Sequence, residues 1–278
     1  MIKLFRKIRY NLMSENKTAK YLKYAIGEIV LVVIGILIAL SLNNWNENQN
    51  RLKKESVLLT QLKDELIDSY SDIYNDYSIL QLGEISHYKI LDYIEQDLPY
   101  NDSLCFDFEW LKEDEYIYPN TAVYKKITDE GLDIIRNDTI RMLTQRLYED
   151  IFPRISKEGS FYQDISEYLD SYYLNNFKPN KNYQLKTSIT IQKDSIGEYK
   201  IDERKRNFPL TFKINGEDKT YTLGFVPLDF EALKQDTKFQ IMLRQVDDYR
   251  AYKIGRYSIA KETIKYLVNL IEKELPHD

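Results

Sequence analysis

Residues 24–42 read YAIGEIVLVVIGILIALSL, and this stretch decides how the chain is organised. Ile29 to Leu40 is apolar without interruption, with Glu28 directly before this run and Ser41 directly after it. About 20 helical residues cross a hydrocarbon core of about 30 Å. A soluble amphipathic helix would show a polar face within three turns, and this run has none. The sequence therefore predicts one transmembrane helix over residues 24–43.

Charge is distributed unevenly about this span. The first 23 residues carry seven basic residues and one acidic residue, Glu15, which gives +6 and leaves −11 for the rest of a chain whose net charge is −5. A basic flank next to an apolar span stays in the cytoplasm. Residues 1–13 also place apolar and basic side chains at helical spacing, as in helices that lie on anionic membrane surfaces. We therefore expect residues 1–23 to form a basic amphipathic cytoplasmic tail and the acidic remainder to be exported.

A cleavable signal peptide is the main alternative to a permanent anchor, because Ala39-Leu40-Ser41 resembles a small-residue cleavage site. The region before the apolar run is more than 20 residues long, and the run itself is long for a signal peptide. Both observations favour an anchor.

One face of the predicted membrane helix carries a distinctive set of residues. At about 100° per residue, Gly35 and Ala39 lie within about 20° of the direction of Glu28. Two small residues four positions apart let helices approach closely, and a carboxylate inside a span faces protein or water, or reaches back to the interface. We expect Glu28, Gly35 and Ala39 to form a helix interface. Anchors at the two membrane surfaces are expected at three flanking residues, Lys20, Lys23 and Trp45.

The segment after the span predicts a second long helix. It has neither glycine nor proline from residue 44 until Gly83, and its apolar residues recur at heptad spacing. We call these residues the seam: Leu59, Leu62, Leu66, Ile73 and Leu80. The sequence predicts a helix from about residue 49 to about residue 96. Whether the seam pairs with a second copy or with later helices of the same chain stays open.

The remaining sequence predicts further helices with a small sheet inserted among them. Asn120, Asn137 or Asp138, Asp229 and Asp236 are the expected N-caps, and the third helical segment is expected to end near Lys178-Pro179. Residues 182–227 change to alternating apolar and polar side chains, with a hairpin turn at Asn215-Gly216-Glu217-Asp218. The last helix is the expected antiparallel partner of residues 49–96, although Gly255 lies within it.

These expectations define a mainly α fold. It comprises an N-terminal transmembrane helix, a long coiled-coil-like helix, an antiparallel helical bundle and a small antiparallel β insertion. The predicted segments are the tail (1–23), the transmembrane helix (24–43), a helical extracytoplasmic region (44–181), the β-hairpin insertion (182–227) and a C-terminal helical region that completes the bundle (228–278).

The N-terminal residues also carry a resemblance. The stretch YLKYAIGEIVLVVIGILIAL, preceded by MIKLFRKIR and followed by NNWNE, resembles the N-terminal signature of an uncharacterised family of single-span membrane proteins from Gram-negative bacteria. Residues 124–137 and 233–275 are similar to the same family. The resemblance implies an inner-membrane protein with a cytoplasmic N-terminus and a periplasmic body. Because that family has no established activity, it implies no functional residues.

Residues that usually carry chemistry are few. The chain has two histidines, His87 and His277, and one cysteine, Cys105, and it lacks the common hydrolase, nucleotide-binding and zinc motifs. Three acidic clusters, Asp64-Glu65-Asp68, Glu113-Asp114-Glu115 and Asp247-Asp248, are typical of solvated helix faces and loops. We therefore expect no enzyme activity, no metal and no cofactor. The acidic body and its export also argue against nucleic acid as a partner.

Three functional hypotheses follow from these patterns. The first is a non-enzymatic, membrane-anchored scaffold or interaction protein that associates with itself, through the span and the seam, or with another membrane protein. The second is a periplasmic sensor body that works through a partner. The third is a small single-span subunit of a proton-driven membrane energiser, in which Glu28 would handle the proton.

Overall fold

The computed structural model describes residues 18–181, 186–188, 191–192, 200–201, 205–207, 210–214 and 216–275. The chain divides into two compact units, residues 1–57 and residues 58–278, which we call the N-terminal unit and the body. Most of the predicted basic tail, residues 1–17, lies outside the described residues. The division into five predicted segments stays a prediction.

Helices make up most of the described chain. They are α1 (Thr18–Glu95), α2 (Leu104–Lys112), α3 (Ala122–Glu130), α4 (Asp138–Arg146), α5 (Phe152–Ile155), α6 (Ile165–Asn176), α7 (Phe230–Gln235) and α8 (Thr237–Glu274). A 3₁₀ turn (Leu132–Ile134) precedes α4, and a π-helical turn (Leu147–Ile151) joins α4 to α5. The mainly α fold with a small antiparallel β insertion is confirmed.

The strands occur as short antiparallel pairs between α6 and α7. They are β1 (Phe177–Pro179), β2 (Lys186–Ser188), β3 (Ile191–Gln192), β4 (Lys200–Ile201), β5 (Lys205–Asn207), β6 (Leu210–Ile214), β7 (Glu217–Tyr221) and β8 (Phe225–Pro227). The pairs are β1–β8, β2–β5, β3–β4 and β6–β7. In the β6–β7 hairpin Ile214 lies opposite Glu217, and Gly216 between them has a φ of 84°, which a tight two-residue turn requires. The predicted hairpin is confirmed, but its turn is shorter than predicted, because Glu217 and Asp218 belong to β7.

Helix α8 runs antiparallel to the part of α1 that belongs to the body. From Lys63 to His87 along α1, the contacted residues of α8 run from Glu272 back to Asp247. The contacts are Lys63–Glu272 (3.8 Å), Tyr77–Lys261 (3.8 Å from ammonium to ring centre), Asp76–Tyr257 (3.3 Å) and His87–Asp247 (4.0 Å). Gly255 does not interrupt α8. The predicted antiparallel pair is therefore present within one chain.

Two apolar cores lie along this helix pair. The first core contains all five seam residues together with Tyr257, Ala260, Ile264, Leu267 and Ile271 of α8. The second core lies further toward the C-terminal end of α1 and contains Ile90, Phe108, Leu169, Phe239 and Val246 among others. The question that the sequence left open is thus answered: the seam pairs with later helices of the same chain.

One local prediction is wrong, and another differs slightly from the structure. The third helical segment ends at Asn176, just before the predicted Lys178-Pro179, because Phe177 stacks on Tyr173 (centroids 4.2 Å apart) and begins the edge strand β1. Asn120 is not the N-cap of α3. The cap position is Thr121, while the Asn120 side chain accepts a hydrogen bond from the amide of Ala122. The expected caps Asn137, Asp229 and Asp236 are confirmed.

Candidate functional site

The first candidate site is the apolar surface of α1 in the N-terminal unit. The large apolar side chains from Ile29 to Leu42 are 47% to 68% exposed, and no residue of the most apolar window is buried. Within the described part of the chain, α1 is the one helix long and apolar enough to cross a membrane. An exposed apolar surface of this extent is typical of a segment whose solvent is lipid or a partner helix.

The predicted interface residues lie on this surface. Glu28, Gly35 and Ala39 lie on one face of a continuous helix, and a side-chain carbon added to Gly35 would have no atom within 4 Å. Trp45 is exposed on the same helix. Lys20 and Lys23 belong to α1 by their backbone, and their side chains lie outside the described residues. The face is open at Gly35, as a helix interface requires of an isolated chain.

The seam is not part of any accessible surface. Its five members are 0% to 3% exposed and lie inside the first core. The prediction that the chain associates with itself through the seam is therefore wrong. Burying the same side chains against a second copy would require the first core to open.

The second candidate site is a polar layer within the body. It lies between the two apolar cores, where α1 and α8 meet the segment that follows α2. We define it by five residues: His87, Asp114, Asp247, Arg250 and Lys253. The ammonium of Lys253 lies 2.5 Å from Oδ1 of Asp114 and 3.6 Å from the ring centre of Tyr116. Burial lowers the pKa of Lys253, and the carboxylate of Asp114 acts in the opposite direction. A charged pair thus replaces apolar packing in the middle of the body.

Arg250 holds the end of α2. Its Nη2 donates to the carbonyl oxygens of Leu111 (2.8 Å) and Glu113 (3.0 Å), where a helix ends with unsatisfied carbonyls. The guanidinium passes over Gly83 of α1, and a Cβ at that position would lie 2.5 Å from Cζ of Arg250. Burial lowers the pKa of Arg250 to about 10. Because Gly83 has no side chain, Arg250 can pass over it and reach α2.

Other buried charges also complete helix ends on distant segments. Glu65 of α1 accepts from the amide of Val123 at the start of α3 (3.1 Å) and from the Tyr148 hydroxyl (2.7 Å). Asp114 accepts from the amide of Ile165 at the start of α6 (2.9 Å). Lys234, from α7, donates to the Leu98 carbonyl just beyond α1 (3.4 Å). Carboxylates at helix N-termini and cations at C-termini also complement the helix dipole. These charges have structural partners.

Two carboxyl groups beside the layer, those of Glu115 and Asp76, have pKa values well above their usual range. Burial, followed by the charge of Asp76, raises the pKa of Glu115 to about 7. Burial also raises the pKa of Asp76 to about 6, although a hydrogen bond from Tyr257 opposes the shift. Both carboxyl groups therefore change charge near neutral pH.

The lone cysteine and the internal histidine are both buried. Cys105 packs against Phe106 and Leu223, and burial raises the pKa of its thiol to about 12, which keeps it protonated. His87 is buried beside Asp247, and burial lowers its pKa. No three His, Cys, Asp or Glu side chains of the described ranges are placed to hold a metal ion.

Comparison with protein families assigns the chain to a family. A family model described as a family of unknown function (DUF6090) matches residues 28–196, which is more than half of the chain. The chain belongs to this family. The DUF6090 match contains most of the apolar segment of α1, the seam and residues 124–137, and it begins after the first part of the N-terminal signature. Neither the curated proteins nor the solved structures contain a match to this chain.

The DUF6090 region includes Asp76, Gly83 and Asp114, but the polar layer is completed by α8 residues beyond it. Sequence reasoning missed this layer, although a signal was present. Val246, Arg250, Lys253, Tyr257 and Ala260 follow one another at steps of three and four, so two cations occupy core positions of the α8 heptad. A charge at such a position must find a buried partner.

Proposed function

We propose that this DUF6090 protein is an inner-membrane-anchored periplasmic protein of a Gram-negative bacterium that acts by binding other proteins, not by catalysis. The observation that carries the proposal is the exposed apolar segment of α1, in which no residue of the most apolar window is buried and which requires lipid or a partner helix around it. The N-terminal charge excess supports a cytoplasmic N-terminus under the positive-inside rule. The body is then the periplasmic part that partners can reach.

Two features support a binding role. The buried charges of Lys253 and Asp114 are engaged in an ion pair and in capping the start of α6. The face of α1 with Glu28, Gly35 and Ala39 permits close approach of a second helix. We propose that this face carries association with a second copy of the chain or with another membrane protein.

Disulfide crosslinking in native membranes tests the interface. Cys105 is the only cysteine and is buried, so a Cys105→Ala chain provides a cysteine-free background. Gly35→Cys and Ala39→Cys place a thiol on the proposed face. Val33→Cys and Leu37→Cys, about 160° away from Gly35 around the helix, are the matched controls. We expect oxidation to crosslink the first two variants and not the controls. A product of twice the chain mass indicates a second copy, and another mass identifies a different partner by mass spectrometry. Equal crosslinking of all four variants, or of none, contradicts the proposal.

Labelling of single cysteines tests the orientation in the same background. In spheroplasts, a membrane-impermeant maleimide should label Asn46→Cys before lysis and Ser14→Cys only after lysis. The reverse pattern would contradict the cytoplasmic N-terminus. Release of a product that lacks the first 40 residues would favour the signal-peptide alternative.

A further inference from the structure

A cluster of aromatic rings lies on the surface of the body, where the loop between α5 and α6 meets α8. Tyr162 of this loop stacks on Tyr249 of α8 (ring centroids 4.9 Å apart) and packs edge-on against Tyr252 (4.8 Å). Tyr168 of α6 packs edge-on against Tyr249 (5.8 Å). We call these four rings and the neighbouring Phe161 the aromatic platform. Because Tyr168 and Tyr249 also pack against the second core, the platform is fixed to the interior of the body.

The loop holds Phe161 in an exposed position. Phe161 is 72% exposed, although burying a phenylalanine side chain is worth about 1.5–3 kcal/mol. At the start of the loop, a Cβ at Gly159 would overlap the carbonyl oxygen of Pro153, and the Ser156 hydroxyl donates to the same oxygen (2.8 Å). At the end of the loop, Asp164 is the N-cap of α6. A loop fixed at both ends presents an apolar side chain to a partner without a further entropy cost of ordering it.

Two guanidinium groups lie over rings of the platform. Cζ of Arg256 is 5.0 Å from the ring centre of Tyr252, and Cζ of Arg154 is 5.6 Å from that of Phe161. A guanidinium that lies over a ring keeps the N–H donors at its edges free to bind a carboxylate. Arg154 already pairs with Asp150 (2.6 Å), whereas no carboxylate of the described residues pairs with Arg256. Arg256 therefore supplies a cation that can bind an acidic group from outside the chain.

The platform has the composition of the energetic centre of a protein interface. Such centres are rich in tyrosine and arginine and are enclosed by a polar rim. Beside the platform, Lys157 and Glu167 form an ion pair (2.9 Å) with side chains 49% and 58% exposed. A single exposed apolar side chain has no such meaning, but here four rings are in contact and the fifth adjoins them in sequence. A symmetric contact with a second copy would place Arg154 and Arg256 opposite the same cations, so the charges favour a different protein.

We propose that the aromatic platform binds a different protein, through a segment that carries an Asp or Glu side chain next to an apolar one. The apolar side chain packs on Phe161 and Tyr162, and the carboxylate accepts hydrogen bonds from Arg256. This proposal names the surface and the partner chemistry of the binding function proposed above and rests on that function. It concerns the body and is independent of the face of α1.

Photocrosslinking in living cells tests the platform. The photoreactive amino acid p-benzoylphenylalanine is placed at position 161 and, as the matched control, at position 174, because Leu174 is 84% exposed on α6. Irradiation should give a discrete protein adduct from position 161 and none from position 174. Mass spectrometry should find an Asp or Glu beside the crosslinked residue of the partner. Immunoblots of membrane fractions verify that both proteins are present at wild-type abundance.

Charge reversal at Arg256 tests the role of the carboxylate. We expect Arg256→Glu to reduce adduct formation from position 161 at least about tenfold, because it places like charges opposite each other. Arg256→Lys should reduce it less, since the charge is kept and the fork of donors is lost. Arg244→Glu changes a side chain of the same helix that is 77% exposed, and this control should have no effect. An adduct that survives Arg256→Glu unchanged would overturn the proposal.

Other outcomes at position 161 are equally decisive. No adduct, or equal adducts from positions 161 and 174, would overturn the proposal. So would a product of twice the chain mass, which indicates a second copy, and a heterogeneous product that muramidase digestion shortens, which indicates cell-wall glycan. Crosslinking of Gly35→Cys is measured in parallel. If it persists where position 161 gives no adduct, the platform proposal fails alone, whereas loss of both contradicts the binding function itself.

Discussion

The ammonium of Lys253 and the carboxylate of Asp114 lie 2.5 Å apart, with side chains only 5% and 1% exposed. This pair joins the segment between α2 and α3 to α8, and the second carboxylate oxygen of Asp114 extends the connection to the start of α6 through the amide of Ile165. Both ions have lost most of their hydration, so each depends on the other for compensation. The polar layer is thus a point at which three segments of the body are fixed to one another.

Removal of one partner of this pair should destabilise the body strongly. We expect Lys253→Met to lower the free energy of unfolding by about 3–5 kcal/mol, because it leaves the carboxylate of Asp114 buried without a cation. Lys253→Met/Asp114→Asn should lose less, since no charge remains unpaired. Urea denaturation of the full-length protein in a Trp45→Phe background, followed by Trp110 fluorescence, measures both. Arg244→Met, which breaks an exposed pair with Asp248, is the control and should cost less than about 1 kcal/mol. A double variant that is less stable than Lys253→Met would contradict this account.

Two glycines of the long helices should respond to alanine in opposite directions. At Gly83 the added methyl group would lie 2.5 Å from Cζ of Arg250 and 2.8 Å from the backbone oxygen of Trp110. We expect Gly83→Ala to destabilise the body by about 1–3 kcal/mol through overpacking. At Gly255 the methyl group would meet no atom within 4 Å, so Gly255→Ala should stabilise α8 by about 0.5–1 kcal/mol. Thermal unfolding by circular dichroism compares the two, and equal effects would show that helix propensity alone decides.

The buried carboxylate of Glu65 should contribute more to the stability of α3 than any side chain of α3 itself. Thr121, at the N-cap, makes no capping hydrogen bond, and Glu65 accepts from the amide of Val123 instead. We expect Glu65→Ala to cost about 2–3 kcal/mol, because it leaves this amide and the Tyr148 hydroxyl without an acceptor. A matched pair of tyrosines separates the two bonds. Tyr148→Phe removes the buried donor to Glu65, whereas Tyr124→Phe removes an exposed donor to Glu149 and should cost less. The urea midpoints of the three variants test this order.

Much of the fold could be predicted because periodicity reports burial directly. The seam residues repeat at steps of three, four and seven, and each is buried in the first core. The same core contains a set of α8 residues at steps of three and four, namely Tyr257, Ala260, Ile264, Leu267 and Ile271. The alternating pattern over 210–214 likewise predicted a strand that is present. In each case one local pattern reflects one face of one element, so no knowledge of distant residues is needed.

The polar layer could not be predicted by the same reasoning, because its members are far apart in sequence. Arg250 meets Gly83 and the end of α2, and Glu65 caps a helix that begins 57 residues later at Ala122. Asp76, Gly83 and His87 continue the heptad spacing of the seam, as Arg250 and Lys253 continue that of α8. A polar residue at a core position indicates that a partner exists, but its identity depends on the tertiary fold.

Glu28 separates the binding proposal from the proton-driven alternative. A deletion strain complemented with Glu28→Gln distinguishes them, because glutamine keeps the size and hydrogen-bonding capacity of the side chain and cannot carry a transferable proton. We expect Glu28→Gln to correct any fitness defect of the deletion strain when the variant protein is present at wild-type abundance. We also expect it to leave the crosslinking of Gly35→Cys unchanged. Pooled growth competition under many conditions supplies the fitness measurement, and immunoblots of membrane fractions supply the abundance. Leu37→Gln, which places the same amide on the opposite face of the helix, is the control for loss of insertion. Failure of Glu28→Gln to complement, with normal abundance and normal crosslinking, would contradict a purely binding role and favour a subunit in which this carboxyl group handles a proton.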